Sequence, residues 1–310
     1  MGVVAKEKMK HSLTVCMTTA REYPKSNWLF DSLRRQVNGE LIDLILVSLR
    51  TGQEYDFPLY NGKPYRIVQP KPCVWQGRHR LTKSDWWAVS NARNTAICLC
   101  KTEWIAFLDD RSVLSPVWLE CVRAAMEGNY IMAGSYEKRQ NMVVENGAIV
   151  DFGILQAEDA RVRSARGQII PCPGEWLFGC NLAMPLEWLL NVNGYPESWC
   201  DGMSFEDCIL GLVLQNNRYP MKFDPRAKMI EDRTPDALGE PMKRTAHERF
   251  PHDTTDKAHT VLNLARSAKR CDNPFNIREL LAKIHGGEPF PIPTEPTHDW
   301  FNKKPLSEFE

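Results

Sequence analysis

The sequence predicts an α/β domain built on a mostly parallel sheet with helices on both faces. Three observations predict it. Short apolar runs, Leu13 to Thr18, Leu41 to Leu49 and Trp104 to Leu108, alternate with segments of helical periodicity. One of these runs ends in two adjacent carboxylates, Asp109 and Asp110, just ahead of a helix start. With 43% hydrophobic residues in 310, the chain can bury a sizeable core.

The elements follow in order. Leu13 to Thr18 is a buried first strand and Thr19 to Pro24 a loop. Leu29, Phe30, Leu33 and Val37 give Asn27 to Val37 a helical stripe. Leu41 to Leu49 and Tyr65 to Val68 are strands. An irregular stretch follows, rich in aromatic and cationic residues, and then a helix over VSNARNTAICLC (89–100). That helix leads into the strand ending at Asp109. Ser115 suits an N-cap and Pro116 the first position of the next helix, which runs to Met126. Ser135 to Pro173 is less regular, and Arg161 to Gln168 reads as a mobile loop. Glu175 to Met184 is expected to be a strand, Asn193 to Pro196 a turn, Phe205 to Asn216 a helix and Met221 to Phe223 a last strand. Beyond Thr234 the composition shifts toward Pro, His and charge, with helices expected near Asp256 to Ala268 and Ile277 to Ile284 and a proline-rich tail. Residues 1–235 are therefore read as the main domain and 236–310 as an extension packing on it.

Charge excludes little but directs the reading. Lys+Arg and Asp+Glu both number 39, so no global field favours nucleic acid or an anionic membrane. No apolar run is long enough for a secretory signal or a membrane span, and a soluble, cytoplasmic protein is expected. The 10 cysteines form no CxxC pair and mostly sit in apolar contexts, so they read as reduced, buried thiols. There is no GxG, hence neither a dinucleotide fingerprint nor a phosphate-cradling glycine loop, and no GxSxG elbow. A bound nucleotide must then be held by carboxylates, cations or metal.

Three constellations can carry chemistry. Asp109 and Asp110 lie past the end of a strand, where open α/β sheets place ligands, and two hard oxygen donors there can hold a divalent cation and, through it, a diphosphate. A solvated Asp-Asp-Arg turn is the plain alternative. Ser204-Phe205-Glu206-Asp207 opens a helix; it is either a capping box or the seat of a carboxylate general base, and these are compatible. Asn91 to Asn94 puts Arg93 in an otherwise apolar helix, to pair with a structural carboxylate or reach a phosphate. Arg78, Arg80 and Lys83 can add phosphate contacts, and Trp75, Trp86 and Trp87 stacking faces.

Four segments in this order resemble the GT-A glycosyltransferases, particularly inverting family 2: LTVCMTTAREYP, SNARNTAICLCKTEWIAFLDDRSVLSPVWLE, GCNLAMPLEWLLNVNGYPE and SFEDCILGLVLQNN, together covering about residues 12–225. The resemblance implies a nucleoside-diphosphate sugar donor and an inverting hexosyl- or pentosyl transfer to an acceptor hydroxyl. It gives Asp109 and Asp110 to metal (Mn²⁺ or Mg²⁺) and donor, Asp207 the base role and Glu206 a positioning role. Arg93 lies near the nucleotide, while Thr19, Ala20 and Arg21 line the base pocket. Two departures stand out. Where the family's acidic triplet ends in a carboxylate this chain has Arg111, which either repels a metal or pairs with the diphosphate. Where some relatives carry a metal-binding His it has MIEDRTP, so Glu231 or Asp232 is the candidate oxygen ligand, with His247 and His252 further off. The acceptor is open: a glycan, or in the alternative reading a protein side chain or a nucleic-acid base. A non-catalytic sugar-nucleotide or glycan-binding module is the third reading.

Overall fold

The computed structural model describes residues 12–21, 24–37, 41–48, 65–73, 88–201, 205–235 and 259–292. Expectations placed on Trp75, Arg78, Arg80, Lys83, Trp86, Trp87, Ser204, His247, His252 and the proline-rich tail fall outside these residues.

Parallel strands β1 (Ser12–Thr19), β2 (Leu41–Ser48), β3 (Arg66–Val68) and β4 (Trp104–Asp109) form one half of a mixed sheet. β4 ends with Asp109 opposite Thr18 of β1. On its other side β11 (Asn181–Pro185) runs antiparallel to β4 and to β6 (Ile131–Gln140), and β6 runs parallel to β12 (Met221–Asp232). The order is β10–β12–β6–β11–β4–β1–β2–β3, with β5 (Ser112–Leu114) on β12, β9 (Ile154–Glu158) on β6, and β10 being Ile170–Pro171. A separate hairpin joins β7 (Val143–Glu145) to β8 (Ala148–Asp151).

Strand alternation sends side chains to two apolar layers. Leu13, Val15 and Met17 of β1 pack with α1 (Ser26–Arg34) and α3 (Trp118–Gly128) through Leu29, Leu33, Trp118 and Val122. Cys16, Ile45, Ile105 and Phe107 face α2 (Val89–Leu99) and α7 (Glu206–Asn216) through Ala92, Ala96, Leu210 and Val213. Because both faces are covered, the central strands read as continuous apolar runs. Residues Cys271, Ile277 and Leu280 join this second layer, the last two from the helix Ile277–His285, and a further helix spans 259–265. No helix among the described residues is long and apolar enough to cross a membrane.

Four local expectations are corrected. Arg161 to Gln168 is not a loop throughout: α4 spans Arg161–Ala165, because the buried Arg161 guanidinium is clamped by Asp159 (2.6 Å) and sits 4.0 Å from the Phe178 ring centre. Ser115 does not cap α3, which starts at Trp118; its hydroxyl instead bonds the Arg226 carbonyl (2.8 Å), stitching β5 to β12. The segment from Glu175 opens as a 3-10 turn, Gly174–Trp176, and becomes strand only at Asn181. The last strand runs on from Phe223 to Asp232 through a bulge between Asp224 and Lys228, which carries Glu231 and Asp232 to the end of the sheet where β4 also finishes. β4, β6 and β12 all run the same way, so Asp109 and Glu231 lie at one rim.

Helix α7 reaches that rim because its backbone touches the 3-10 turn: a Cβ on Gly211 would stand 1.9 Å from the Gly174 carbonyl oxygen. Helix propensity alone predicts that Gly211→Ala stabilises by about 1 kcal/mol. The contact reverses the sign, and a net loss of about 1–3 kcal/mol is expected from the urea midpoint of the variant.

Candidate active site

The site assembles where β1 and β4 end and α7 begins. Arg93 of α2 is its centre. Its guanidinium is buried, donates to Glu206 Oε1 (2.7 Å) and lies 5.0 Å from the Tyr195 ring centre. Burial opposes its charge, but Tyr195, Glu206, Asp109 and Asp207 around it outweigh burial and hold its pKa above the ordinary value. Gly179 has no side chain because there is no room for one: a Cβ would meet the Arg93 guanidinium at 2.3 Å.

The two acidic residues of α7 are treated differently. Glu206 is buried, and burial together with Asp207 pushes its carboxyl up against the opposing pull of Arg93. Asp207 is only partly buried; its oxygens accept the backbone N–H groups of Gly179 (2.8 Å) and Cys208 (2.8 Å). Two amide donors hold the carboxylate in one orientation.

The strand-end carboxylates also part ways. Asp110 is buried and engaged: Oδ2 accepts the Thr19 hydroxyl and Oδ1 the Arg21 Nε (3.1 Å). Thr19 in turn accepts the Arg21 amide (3.0 Å), so Thr19, Ala20 and Arg21 form a tight buried turn at the end of β1. Asp109 keeps its side chain partly open between Arg93 and Glu231. Arg111 turns away from both. It is fully buried in a left-handed conformation (φ 53°), and its guanidinium donates to the Thr234 carbonyl (2.6 Å), tying the β4–β5 turn to the end of β12.

Glu231 is 3% exposed, and its Oε2 accepts no hydrogen bond. Burial first, then Asp109 and Asp110, push its carboxyl up to about 7 against Arg233 (2.8 Å) and Lys138 (3.9 Å). Asp232 faces elsewhere, paired with Lys25 (2.9 Å). Among the described residues no three His, Cys, Asp or Glu side chains converge as a metal-binding group. Of the carboxylates at this rim, Asp109 keeps its side chain partly open, and Glu231, paired with Arg233 through Oε1, leaves Oε2 without a hydrogen bond. A pair fits a Mg²⁺-type ion, which takes one or two carboxylates and completes its shell from substrate phosphate and water.

Tyr195 and Gly179 go unrecognised as site residues in the sequence, although both lie in the segment GCNLAMPLEWLLNVNGYPE. Asp201, in the loop SWCDG, is a third. Its carboxylate accepts the N–H groups of Ser90 (2.8 Å) and Asn91 (3.0 Å), capping α2 from a distant part of the chain. Nearby, the buried Glu197 accepts from Lys71 (2.6 Å) and Asn94 (2.7 Å).

No family model and no curated protein matches the chain. Among solved structures, residues 1–349 of Staphylococcus aureus TarS share the fold, with a TM-score of 0.51 at 13% identity over 82% of this chain. The chain spans 64% of that fragment. The same fragment in complex with UDP aligns with a TM-score of 0.49, at 13% identity over 71% of this chain and 60% of that one.

The raised pKa of Glu231 has a stability consequence. A carboxyl whose folded pKa lies above its unfolded value contributes stability below the unfolded pKa, and that contribution is lost as pH rises through the folded one. For Glu231 the loss spans about 4.5 to about 7 and amounts to about 3 kcal/mol at most. Glu231→Gln should melt at a temperature that falls less between pH 5 and pH 8 than wild type, measured by calorimetry.

Proposed function

We propose that the protein transfers a sugar from a nucleoside-diphosphate donor to an acceptor hydroxyl, with inversion at the anomeric carbon. The observation that carries this reading is the pairing, across one buried arginine, of a strand-end carboxylate (Asp109) with a first-turn carboxylate (Asp207) held by two backbone amides. The fold shared with TarS residues 1–349 is compatible with it.

In this reading the donor lies over the ends of β1 and β4, with its nucleotide against Thr19, Ala20 and Arg21. Asp207 takes the proton of the acceptor hydroxyl; the oxygen attacks the anomeric carbon from the face opposite the diphosphate, and the bond to the diphosphate oxygen breaks. Glu206 is held by Arg93 in a buried ion pair and orients that guanidinium. Arg93 also prevents Asp109 and Asp207 from repelling one another apart. Arg111 acts through its backbone turn. A Mn²⁺ or Mg²⁺ held by Asp109 and Glu231 would neutralise charge on the departing diphosphate. The Glu231 Oε2, which accepts no hydrogen bond and has Lys138 at 3.9 Å, and the mutual repulsion of these carboxylates support such a cation.

Two outcomes test the reading. Asp207→Asn should keep the wild-type melting temperature and lose about 10²- to 10⁴-fold in transfer, read as product formed from labelled sugar nucleotides; near-full activity removes Asp207 from the base role. Protein stripped with EDTA should bind a nucleoside diphosphate at least about tenfold more weakly than protein given Mn²⁺, by calorimetric titration. Equal affinity in the two removes the metal.

A further inference from the structure

Phe205 holds a conformation that nothing in the fold accounts for. It is the N-cap of α7, yet its backbone is left-handed (φ 72°, ψ 13°) and its side chain is 50% exposed. N-caps ordinarily lie in the β region, and a bulky residue with positive φ is an outlier. The other non-glycine residues with positive φ each have a reason. Asn129, Asn141, Asn146 and Asn193 are of the residue type that tolerates it. Arg166 and Arg218 sit where helices α4 and α7 end, the usual place for such a residue. Lys25 pairs with Asp232 (2.9 Å) and covers the Trp28 ring at 4.2 Å, and Arg111 is buried on the Thr234 carbonyl. Phe205 has no ring contact among the described residues and leaves half its surface in water.

On either side of Phe205 the chain is anchored to α2. Asp201 is bonded to the Ser90 and Asn91 amides of α2, and Glu206 to Arg93 one turn further along the same helix. Phe205 is displayed beside Glu206, two positions from Asp207. Strain that the surroundings enforce gathers where function needs a side chain in one place.

We infer that Phe205 is the stacking platform of the acceptor subsite, and that the acceptor hydroxyl is carried on a sugar ring. The inference rests on the reading of Asp207 as the base. The apolar C–H face of a pyranose matches an aromatic face, while its hydroxyls remain free to meet polar groups at the rim. A simple alcohol offers no such face. Stacking on Phe205 sets the ring against the first turn of α7, where Asp207 can accept the proton of an outward hydroxyl.

The test uses the full chain, with Phe205→Gly, which relieves the backbone, and Phe205→Trp, which keeps a face. Probes are methyl glycosides and short oligosaccharides in saturation-transfer NMR; a panel of nucleoside diphosphates is run separately by thermal shift. Wild type and Phe205→Trp should saturate the ring protons of at least one sugar, and Phe205→Gly should bind it about tenfold more weakly. The glycine variant should melt no lower than wild type. Equal sugar binding by the glycine variant, or none by wild type, overturns the inference. A missing nucleoside-diphosphate shift in wild type speaks against the donor site instead, and leaves the Phe205 result to be read from the NMR alone.

Discussion

The structure depends on the burial of one guanidinium. Moving a charge of that size out of water costs several kcal/mol unless it is paired, and leaving it unpaired costs about 3–5 kcal/mol. Arg93 meets this through Glu206 at 2.7 Å, the Tyr195 ring face and the two carboxylates Asp109 and Asp207. These groups come from α7, from the segment before α6 (Glu197–Cys200) and from the end of β4, with Arg93 itself on α2. The stability of the layer between α2 and α7 and the geometry of the site are therefore one constraint. The same pairing keeps negative groups together that would otherwise repel.

A second polar layer keeps α2 in place beneath that centre. The N-cap residue of α2, Ala88, has no side chain to satisfy the first amides of the helix. Asp201 does so across the fold, and burial together with Glu197 raises its carboxyl well above the ordinary range. Glu197 is balanced by Lys71, itself buried, and by Asn94. Half-satisfied polar networks are costly, so one that is nearly complete also specifies a single arrangement. Here it specifies where α2 begins, and four residues later where Arg93 points.

Much of the fold is legible in sequence because its central strands are covered on both faces. β1, β2 and β4 read as largely apolar runs, and the break at Asp109 marks the rim where the site lies. The extent of β12 is not legible, since the bulge at Asp224 to Lys228 interrupts its pattern with Pro225 and Arg226. Arg161 misleads for a different reason. A segment reading RVRSARGQ looks solvated, but its first arginine is neutralised by Asp159 and enclosed by Phe178 and Phe223. Within the site, the positions of Asp109, Glu206 and Asp207 follow from spacing and helix starts. The fate of Asp110 does not, because its partners Thr19 and Arg21 lie some 90 residues earlier in the chain. Local pattern identifies which residues can ionise; only tertiary pairing decides which of them are left to act.

That division gives the acidic pairs their logic. In each pair one carboxylate is consumed by an arginine: Asp110 by Arg21, Glu206 by Arg93. The other, Asp109 or Asp207, keeps solvent access. Glu231 adds a third, buried carboxyl whose charge Arg233 and Lys138 only partly offset, so that it retains a proton up to about neutrality. The rim is thus short of positive charge at the place where Asp109 and Glu231 face one another. The Arg111 guanidinium donates to the Thr234 carbonyl beyond the end of β12. A proton on Glu231 or a bound cation would each relieve the repulsion that Arg233 and Lys138 leave. The two exclude each other, which makes proton release on cation binding the natural signature of this rim.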